Sequence, residues 1–176
     1  MYSRLPESGQ WGIDMEDKAR NEYITFQKAV NGNVQVIPAG LTLYPTHSFL
    51  GASSDGKVVD DSGIGILEIK CPFSIGGVKV NTMEIDEIMA IESASFYLEK
   101  GELGPNLKKT SKYYAQVQGE MALMGLPWCD FVVWTSASKN NIFIERILFD
   151  IEFCNIMLPT LVNFYMNHIF PKIYKK

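Results

Sequence analysis

The chain has 176 residues, of which 47% are hydrophobic and 20% are charged, and its formal net charge is −4. This length and composition predict one α/β domain with a real core, and the acidity excludes a protein that coats nucleic acid through an excess of basic residues. An enzyme is not excluded, because a magnesium site needs several carboxylates whose charge the bound cation largely reverses.

The cysteine spacing and the hydropathy indicate an intracellular protein. Cys71, Cys129 and Cys154 form no CxxC pair, and two histidines are too few for a typical zinc cluster. No apolar run approaches the roughly 18 residues that span a bilayer, and the first residues lack the hydrophobic region of a signal peptide. We therefore expect a soluble protein of the cytoplasm or the nucleus, without a membrane partner.

Hydrophobic periodicity predicts a helix and then a strand meander in the first part of the chain. Apolar residues recur at helical spacing from Asp14, the expected N-cap, to about Val30, and Asn31-Gly32-Asn33 stops the helix. Alternation and turn residues predict the strands Val34–Leu43, Lys57–Asp60 and Ile64–Lys70. Pro72 ends the last of these strands, because proline cannot donate to a ladder.

The second part of the chain predicts a helix, a hairpin and a final helix. The main elements are a helix over Ser111–Met124 closed by Gly125, a hairpin of Phe131–Thr135 with Ile142–Leu148, and a helix from Glu152 to about Phe170. Before them we expect a short helix from Met83 to about Ser93 and a small hairpin of Phe96–Glu99 with Leu107–Lys109. Such a mixed sheet with helices on its faces specifies no function by itself.

Three charged residues near the end of the meander carry the functional signal. Glu68 and Lys70 share one face of their predicted strand, while Ile69 points to the other face. The turn Ser53-Ser54-Asp55-Gly56 brings Asp55 beside them. Two carboxylates and an ammonium are costly to bury together, and a divalent cation bound by the carboxylates would offset that cost. The alternative is an exposed hairpin face with an ordinary Glu–Lys pair.

Three sequence blocks occur in an order that resembles one nuclease family. They are Gly51-Ala-Ser-Ser-Asp55-Gly56, Leu67-Glu68-Ile69-Lys70-Cys71-Pro72 and Tyr113-Tyr-Ala-Gln116-Val-Gln118-Gly-Glu-Met121. Together they resemble the YqaJ-type viral recombinase and lambda-type alkaline exonuclease family of the PD-(D/E)xK superfamily, over most of the chain. The resemblance implies a single 1–176 domain of the α/β (α+β) class, with a restriction-endonuclease-like core in which helices flank a central mixed β-sheet.

The resemblance also implies which residues form the site. Asp55 and Glu68 would bind the metal together with the backbone carbonyl of Ile69, and Lys70 would be the catalytic lysine. The segment Gly12-Ile-Asp-Met-Glu16 matches the helix that supplies a further active-site glutamate, which indicates Glu16 as a metal-site and catalytic residue. The alternative for Glu16 is a first-turn acid that the helix dipole favours.

The helix after Ser111 is expected to contribute DNA-facing residues. Tyr113 and Gln116 lie three residues apart and face the same way, so Tyr113 would contact DNA and Gln116 would join the catalytic centre. A half-buried aromatic and a solvated amide are the alternative. Lys108, Lys109 and Lys112 form a dense basic cluster that would meet the phosphate backbone, with a plain solvated surface as the alternative.

The activity implied by the resemblance is hydrolysis of double-stranded DNA from a free end, 5′ to 3′, in recombination or repair. Hard oxygen ligands favour Mg²⁺ or Mn²⁺, as one or two ions, over zinc. A homo-oligomeric ring or a recombination partner protein is a further expectation. The alternatives are a structure-specific endonuclease of the same superfamily and a non-catalytic nucleic-acid-binding or protein-interaction relative.

Two features of the sequence depart from the family pattern. Ser54 stands where relatives often have proline before the catalytic aspartate, and we expect little effect because that position sets backbone geometry. Only about a dozen residues precede the Glu16 helix, so the domain is expected to lack the family's N-terminal helical segment, which contacts the 5′ end of DNA.

Overall fold

The structure is a computed structural model that describes residues 5–91, 96–102 and 104–174. Its helices are α1 (Glu7–Asn31), α2 (Ile85–Met89), α3 (Lys112–Met124), α4 (Ile151–Phe164) and α5 (Phe170–Tyr174), and a π-helical turn, Tyr165–Ile169, joins the last two. Its strands are β1 (Gln35–Ile37), β2 (Thr42–Tyr44), β3 (His47–Ala52), β4 (Gly56–Asp60), β5 (Gly63–Lys70), β6 (Ser74–Ile75), β7 (Val78–Lys79), β8 (Leu98–Lys100), β9 (Pro105–Leu107), β10 (Trp128–Trp134) and β11 (Ile142–Leu148).

A five-stranded sheet with the order β1-β4-β5-β10-β11 forms the centre of the fold. The β5–β10 pair is parallel, and the β1–β4, β4–β5 and β10–β11 pairs are antiparallel. The sheet is therefore mixed, as predicted. Three two-stranded hairpins, β2–β3, β6–β7 and β8–β9, lie outside this sheet.

Helices cover the two faces of the sheet because the neighbouring strands β5 and β10 direct apolar side chains to both faces. On one face Ile66 packs in a cluster with Val117 and Met121 of α3. On the other face Leu67 packs in a second cluster with Tyr23 of α1. All seven residues of β10 are buried, which is typical of a strand covered on both faces. The helices α1 and α3, which carry predicted site residues, thus lie on opposite faces.

The first helix and the first predicted strand differ from their predictions. The helix begins at Glu7 rather than after Asp14, with Pro6 at its N-cap, and the ring of Trp11 in the added segment lies 6.2 Å from that of Phe73. The predicted strand Val34–Leu43 is divided into β1 and β2, because residues 38–40, Pro-Ala-Gly, interrupt the extended chain. The sequence prediction also missed β3, which pairs with β2.

The later elements follow the predictions with shifted bounds. The β4–β5 and β10–β11 hairpins, the small β8–β9 hairpin and α3 with Gly125 at its left-handed C-cap are confirmed. The helix predicted from Met83 to about Ser93 is observed as the shorter α2, and the predicted end lies outside the described residues. A π-helical turn interrupts the predicted final helix. None of the helices in the described ranges is long and apolar enough to cross a membrane.

A buried ionic network joins α1 to the sheet. Asp130 of β10 is 1% exposed and accepts hydrogen bonds from the Tyr23 hydroxyl at 2.5 Å and from Nε of Arg146 at 2.7 Å. Nη2 of Arg146 donates at 2.9 Å to Oδ2 of Asp130, the oxygen that also accepts from Tyr23, and at 2.8 Å to Asp60. The Arg146 guanidinium lies 3.7 Å from the centre of the Trp128 ring, so packing also holds it in place.

We expect Asp130→Ala to lower the free energy of unfolding by about 3 kcal/mol, because it leaves Arg146 and the Tyr23 hydroxyl without their buried acceptor. Urea denaturation followed by circular dichroism measures this loss. Asp61→Ala, in the exposed turn after β4, is the matched control and should change the free energy of unfolding little. Equal stability of the Asp130→Ala and Asp61→Ala variants would contradict the structural role of the network.

Candidate active site

The β4–β5 hairpin places Asp55 beside Glu68. Gly56 pairs with Leu67 in this antiparallel ladder, so Asp55, one residue before Gly56, lies next to Glu68, one residue after Leu67. A side chain at Gly56 would meet Cγ1 of Val36 at 3.0 Å, so glycine lets β1 and β4 approach closely. The buried Ser54 hydroxyl donates to the Gly56 carbonyl at 3.1 Å and fixes the turn.

The Asp55 carboxylate is held at the edge of β5. Its Oδ2 accepts a hydrogen bond of 2.7 Å from the backbone N–H of Ile69. The N–H and C=O of one residue point to the same side of an extended strand, so the Ile69 carbonyl also lies on the Asp55 side. Burial raises the pKa of Asp55 to about 6, and the charge of Glu68 adds to this effect.

Glu68 is the most deeply buried acid of the group, at 2% exposure. Its Oε1 accepts from Nζ of Lys70 in an ion pair and from Nε2 of Gln116 at 2.8 Å. Its Oε2 is buried and has no hydrogen-bond partner among the described residues. Burial raises the pKa of Glu68 to about 7, since the charge of Glu120 adds to the burial effect and Lys70 only partly opposes it.

Lys70 lies on the same face as Glu68, as the alternation of β5 predicts. Its ammonium lies 4.7 Å from the centre of the Tyr113 ring, a cation–π contact with α3. Burial would lower the pKa of Lys70, but the charge and hydrogen bond of Glu68 together with the charge of Asp55 raise it overall. Lys70 is therefore held in its charged form.

Helix α3 brings Gln116 and an unpredicted acid, Glu120, to the centre. The helix begins where the Ser111 hydroxyl accepts from the Tyr113 N–H at 3.2 Å. Gln116 follows one turn after Tyr113, and its Nε2 donates to Oε1 of Glu120 at 2.9 Å as well as to Glu68. Glu120 is 5% exposed, and its Oε2 is buried without a partner in the described chain. Burial raises its pKa, and Gln116 and Lys70 oppose that rise.

Glu16 reaches Asp55 from the opposite face of the sheet through Arg20. Arg20 forms an ion pair with Glu16, four residues before it on α1, and donates to the Asp55 carbonyl at 3.1 Å. Burial raises the pKa of Glu16, and the charge of Asp55 adds to this effect. Glu16 is thus near Asp55, while Gln116 contacts Glu68 from the other face. Sequence reasoning did not include Arg20.

The three lysines that were predicted to form one basic cluster make contacts in different parts of the structure. Lys108 donates to the Phe96 carbonyl at 2.7 Å, and Lys112 lies 5.0 Å from the centre of the Tyr113 ring. Lys109 instead forms a 3.2 Å ion pair with Asp150, at the start of α4. Lys108 and Lys112 consequently lie on the Tyr113 side of the centre, and Lys109 is turned away from them.

Two open pockets flank the acids and the lysine. One, of about 380 Å³, is lined by Glu16, Arg20, Pro38 and Asp55, among others. The other, of about 420 Å³, is lined by Lys108, Lys112, Tyr113 and their neighbours. A larger pocket of about 720 Å³ lies elsewhere, along β11 and the start of α4, and of the predicted residues it includes only Lys109. The first of the two smaller pockets lies against Asp55, and the second lies beside Tyr113, whose ring contacts Lys70.

The family model for the YqaJ-like viral recombinase domain matches residues 4–127, a range that includes every predicted site residue. The chain belongs to this family. No curated protein sequence matches the chain significantly.

Two similar solved structures support the YqaJ-family assignment. An alkaline exonuclease (LHK-Exo) from Laribacter hongkongensis has a TM-score of 0.65 and 26% identity, over 93% of this chain and 70% of that one. LHK-Exo in complex with dAMP has a TM-score of 0.67 and 27% identity, over 93% of this chain and 69% of that one. The predicted PD-(D/E)xK-type core, with a mixed sheet between helices, is thereby confirmed.

The donor atoms of this YqaJ-family centre fit a hard divalent cation. The described residues contain no group of three histidine, cysteine or carboxylate side chains already arranged around a metal position. Two carboxylates with the Ile69 carbonyl and water would nevertheless supply the oxygen ligands that Mg²⁺ prefers. The buried, unpartnered Oε2 of Glu68 also supports a cation, because such an oxygen is costly without a donor or a metal.

Proposed function

We propose that this chain is a metal-dependent DNA exonuclease that hydrolyses phosphodiester bonds at the ends of duplex DNA, 5′ to 3′, in recombination. The observation that carries the proposal is the grouping of the buried Glu68 with the half-buried Asp55 and Lys70 at one end of the β4–β5 hairpin. Membership of the YqaJ-like viral recombinase domain family and similarity to an alkaline exonuclease support the same activity.

In the proposed site Asp55, Glu68 and the Ile69 carbonyl hold the cation, with Glu16 as a further acid on the α1 side. A bound Mg²⁺ or Mn²⁺ would polarise the scissile phosphate and lower the pKa of the attacking water. Lys70, held in its charged form by Glu68, stabilises the negative charge that develops on the phosphate and orients the water. The Gln116 amide fixes the Glu68 carboxylate through its 2.8 Å hydrogen bond.

The DNA would enter along the pocket beside Tyr113. The Tyr113 ring and the ammonium groups of Lys108 and Lys112 line or border this pocket, and they offer a stacking surface and phosphate contacts. Lys109 is the weakest of the predicted DNA contacts, because Asp150 already pairs with it. LHK-Exo has been solved in complex with dAMP, a deoxynucleotide, and this similarity supports a DNA substrate for the present chain.

The decisive test is incubation with linear duplex DNA labelled at either the 5′ or the 3′ end, with and without Mg²⁺, beside a closed circular duplex. We expect the linear duplex to be degraded only with Mg²⁺, with early release of the 5′ label, and we expect the circle to survive. Excess chelator should stop the reaction, and added Mg²⁺ should restore it. Cleavage of the closed circle would indicate an endonuclease, and an intact linear duplex under every metal condition would contradict nuclease function.

A further inference from the structure

Glu120 is a buried acid that the proposed reaction does not yet use. It lies on the inner face of α3 beside Val117 and Met121, which are fully buried apolar residues. An ionisable side chain in such a place is costly unless its hydrogen bonds serve a purpose. Its contacts are directed to the proposed centre, since Gln116 donates to it at 2.9 Å and the charge of Glu120 acts on Glu68.

The Gln116 amide bridges the two buried carboxylates. Its Nε2 donates to Oε1 of Glu68 at 2.8 Å and to Oε1 of Glu120 at 2.9 Å. A primary amide has two N–H donors, so both are used. While both acids are ionised, rotating the amide by half a turn would place its carbonyl oxygen against two carboxylate oxygens, which repel it. The amide of Gln116 therefore has one favourable orientation, and its carbonyl oxygen faces away from both acids.

A single carboxylate would not fix this orientation. If Glu68 alone accepted, the second N–H would be unbound and the amide could turn about its last torsion angle. Glu120 supplies the second anchor, and this anchor persists when Glu68 directs its oxygens to a cation. The hydrogen bond spans one helical turn, from Gln116 to the residue four positions later, so the backbone of α3 sets its geometry.

We propose that Glu120 is a positioning residue that locks the Gln116 amide with its N–H₂ group on Glu68 and its carbonyl oxygen directed to the reacting water or the DNA. In this arrangement the Gln116 carbonyl accepts a hydrogen bond from the attacking water, and Glu120 itself touches neither substrate nor cation. The expected effect on the cleavage rate rests on the proposed nuclease function. The orientation of the amide does not, because it is a property of the protein alone.

The variants Glu120→Gln and Glu120→Met separate positioning from a direct charge or ligand role. Glutamine at position 120 keeps an acceptor oxygen for the Gln116 amide, whereas methionine has a similar volume and keeps no such oxygen. We expect the single-turnover rate on linear duplex to fall by about 10- to 100-fold in Glu120→Met, which is the usual cost of losing a residue that supports a metal ligand. Glu120→Gln should react at close to the unaltered rate, because it keeps the acceptor oxygen. Affinity for Mn²⁺, measured by calorimetry, should stay within about threefold in both variants.

The Gln116→Met variant shows whether Glu120 acts through Gln116. We expect Gln116→Met with Glu120→Met to react no more slowly than Gln116→Met alone, because two residues that act as one unit are not additive. Additive losses would overturn the proposal, as would an unaltered rate in Glu120→Met. Mn²⁺ binding weaker by more than about threefold in Glu120→Gln would also overturn it, since that result gives the charge of Glu120 a role in holding the cation, and this variant decides the matter even if Glu120→Met does not fold.

Side-chain amide protons of Gln116 give a readout that does not depend on activity. In the unaltered protein both Gln116 N–H₂ protons should exchange slowly with solvent, as measured by NMR on protein labelled with ¹⁵N-glutamine, with Gln116→Met assigning the signals. Glu120→Gln should keep this protection, and Glu120→Met should lose it. Fast exchange in the unaltered protein would overturn the positioning role, whereas protected amide protons in a protein that degrades no DNA would refute only the proposed function.

Discussion

Asp55→Asn should leave the protein folded and abolish both divalent-cation binding and DNA cleavage. The asparagine oxygen can still accept the 2.7 Å hydrogen bond from the Ile69 N–H, so the edge of β5 keeps its partner. The substitution removes only the negative charge of the side chain. An amide oxygen is a much weaker ligand for a hard cation than a carboxylate, so the cation is no longer bound. The expected loss is therefore chemical rather than structural.

Three measurements on the same preparation test this expectation. Circular dichroism should give an unaltered melting curve without metal, calorimetry should detect no Mn²⁺ binding, and single-turnover cleavage of labelled duplex should fall to that of the metal-free control. Asp61→Asn, in the exposed turn at the other end of the β4–β5 hairpin, is the matched control and should bind and cleave normally. Cleavage by Asp55→Asn at the unaltered rate would remove Asp55 from the centre.

The hairpin that carries Asp55 and Glu68 could be predicted because its signals are local. Asp61-Ser62-Gly63 predicts the turn, and alternation along Ile64–Lys70 predicts which side chains share a face. The start of α1 could not be found in this way, because Pro6 at its N-cap makes no side-chain capping hydrogen bond. The first turns of α1 also depend on a distant contact, since Trp11 packs against Phe73. Strand β3 was missed for a similar reason, because it depends on pairing with β2.

Some of the predicted site residues could be placed from the sequence, and others depend on how distant elements pack together. Lys70 and Gln116 could be placed near Glu68 from strand alternation and family resemblance, and the structure brings them into contact with it. That Glu16 approaches from the opposite face depends on how α1 packs on the sheet, which periodicity alone does not specify.

The two unpredicted residues had a signal in the sequence. Arg20 and Glu120 each lie four residues after a predicted site residue, Glu16 and Gln116, on the same helix, which is the spacing of side chains that meet. Lys109 is the opposite case, because it is adjacent to Lys108 in sequence but its ammonium pairs with Asp150 in the fold.

Lys70→Met should separate catalysis from cation binding. Methionine keeps the length and apolar contacts of the lysine stem beside Tyr113 but removes the ammonium that pairs with Glu68. Asp55 and Glu68 remain, and the loss of a nearby positive charge does not weaken their attraction for a cation. We therefore expect Mn²⁺ and duplex DNA to bind about as tightly as they bind to the unaltered protein.

Turnover of Lys70→Met should nevertheless fall by roughly 10²-fold or more, because a positioned charge that stabilises the developing negative charge contributes that much to the chemical step. Single-turnover rates measure this step without interference from product release. The measurement belongs at pH 8, above the pKa of about 7 that Glu68 has in the unaltered protein. It also requires saturating Mn²⁺, because loss of the Lys70 ammonium raises the pKa of Glu68 in the variant and a bound cation favours the ionised carboxylate. Lys100→Met, an exposed change on β8, should cleave at the unaltered rate. If Lys70→Met also cleaves linear duplex at that rate, the lysine is only the ion-pair partner of Glu68.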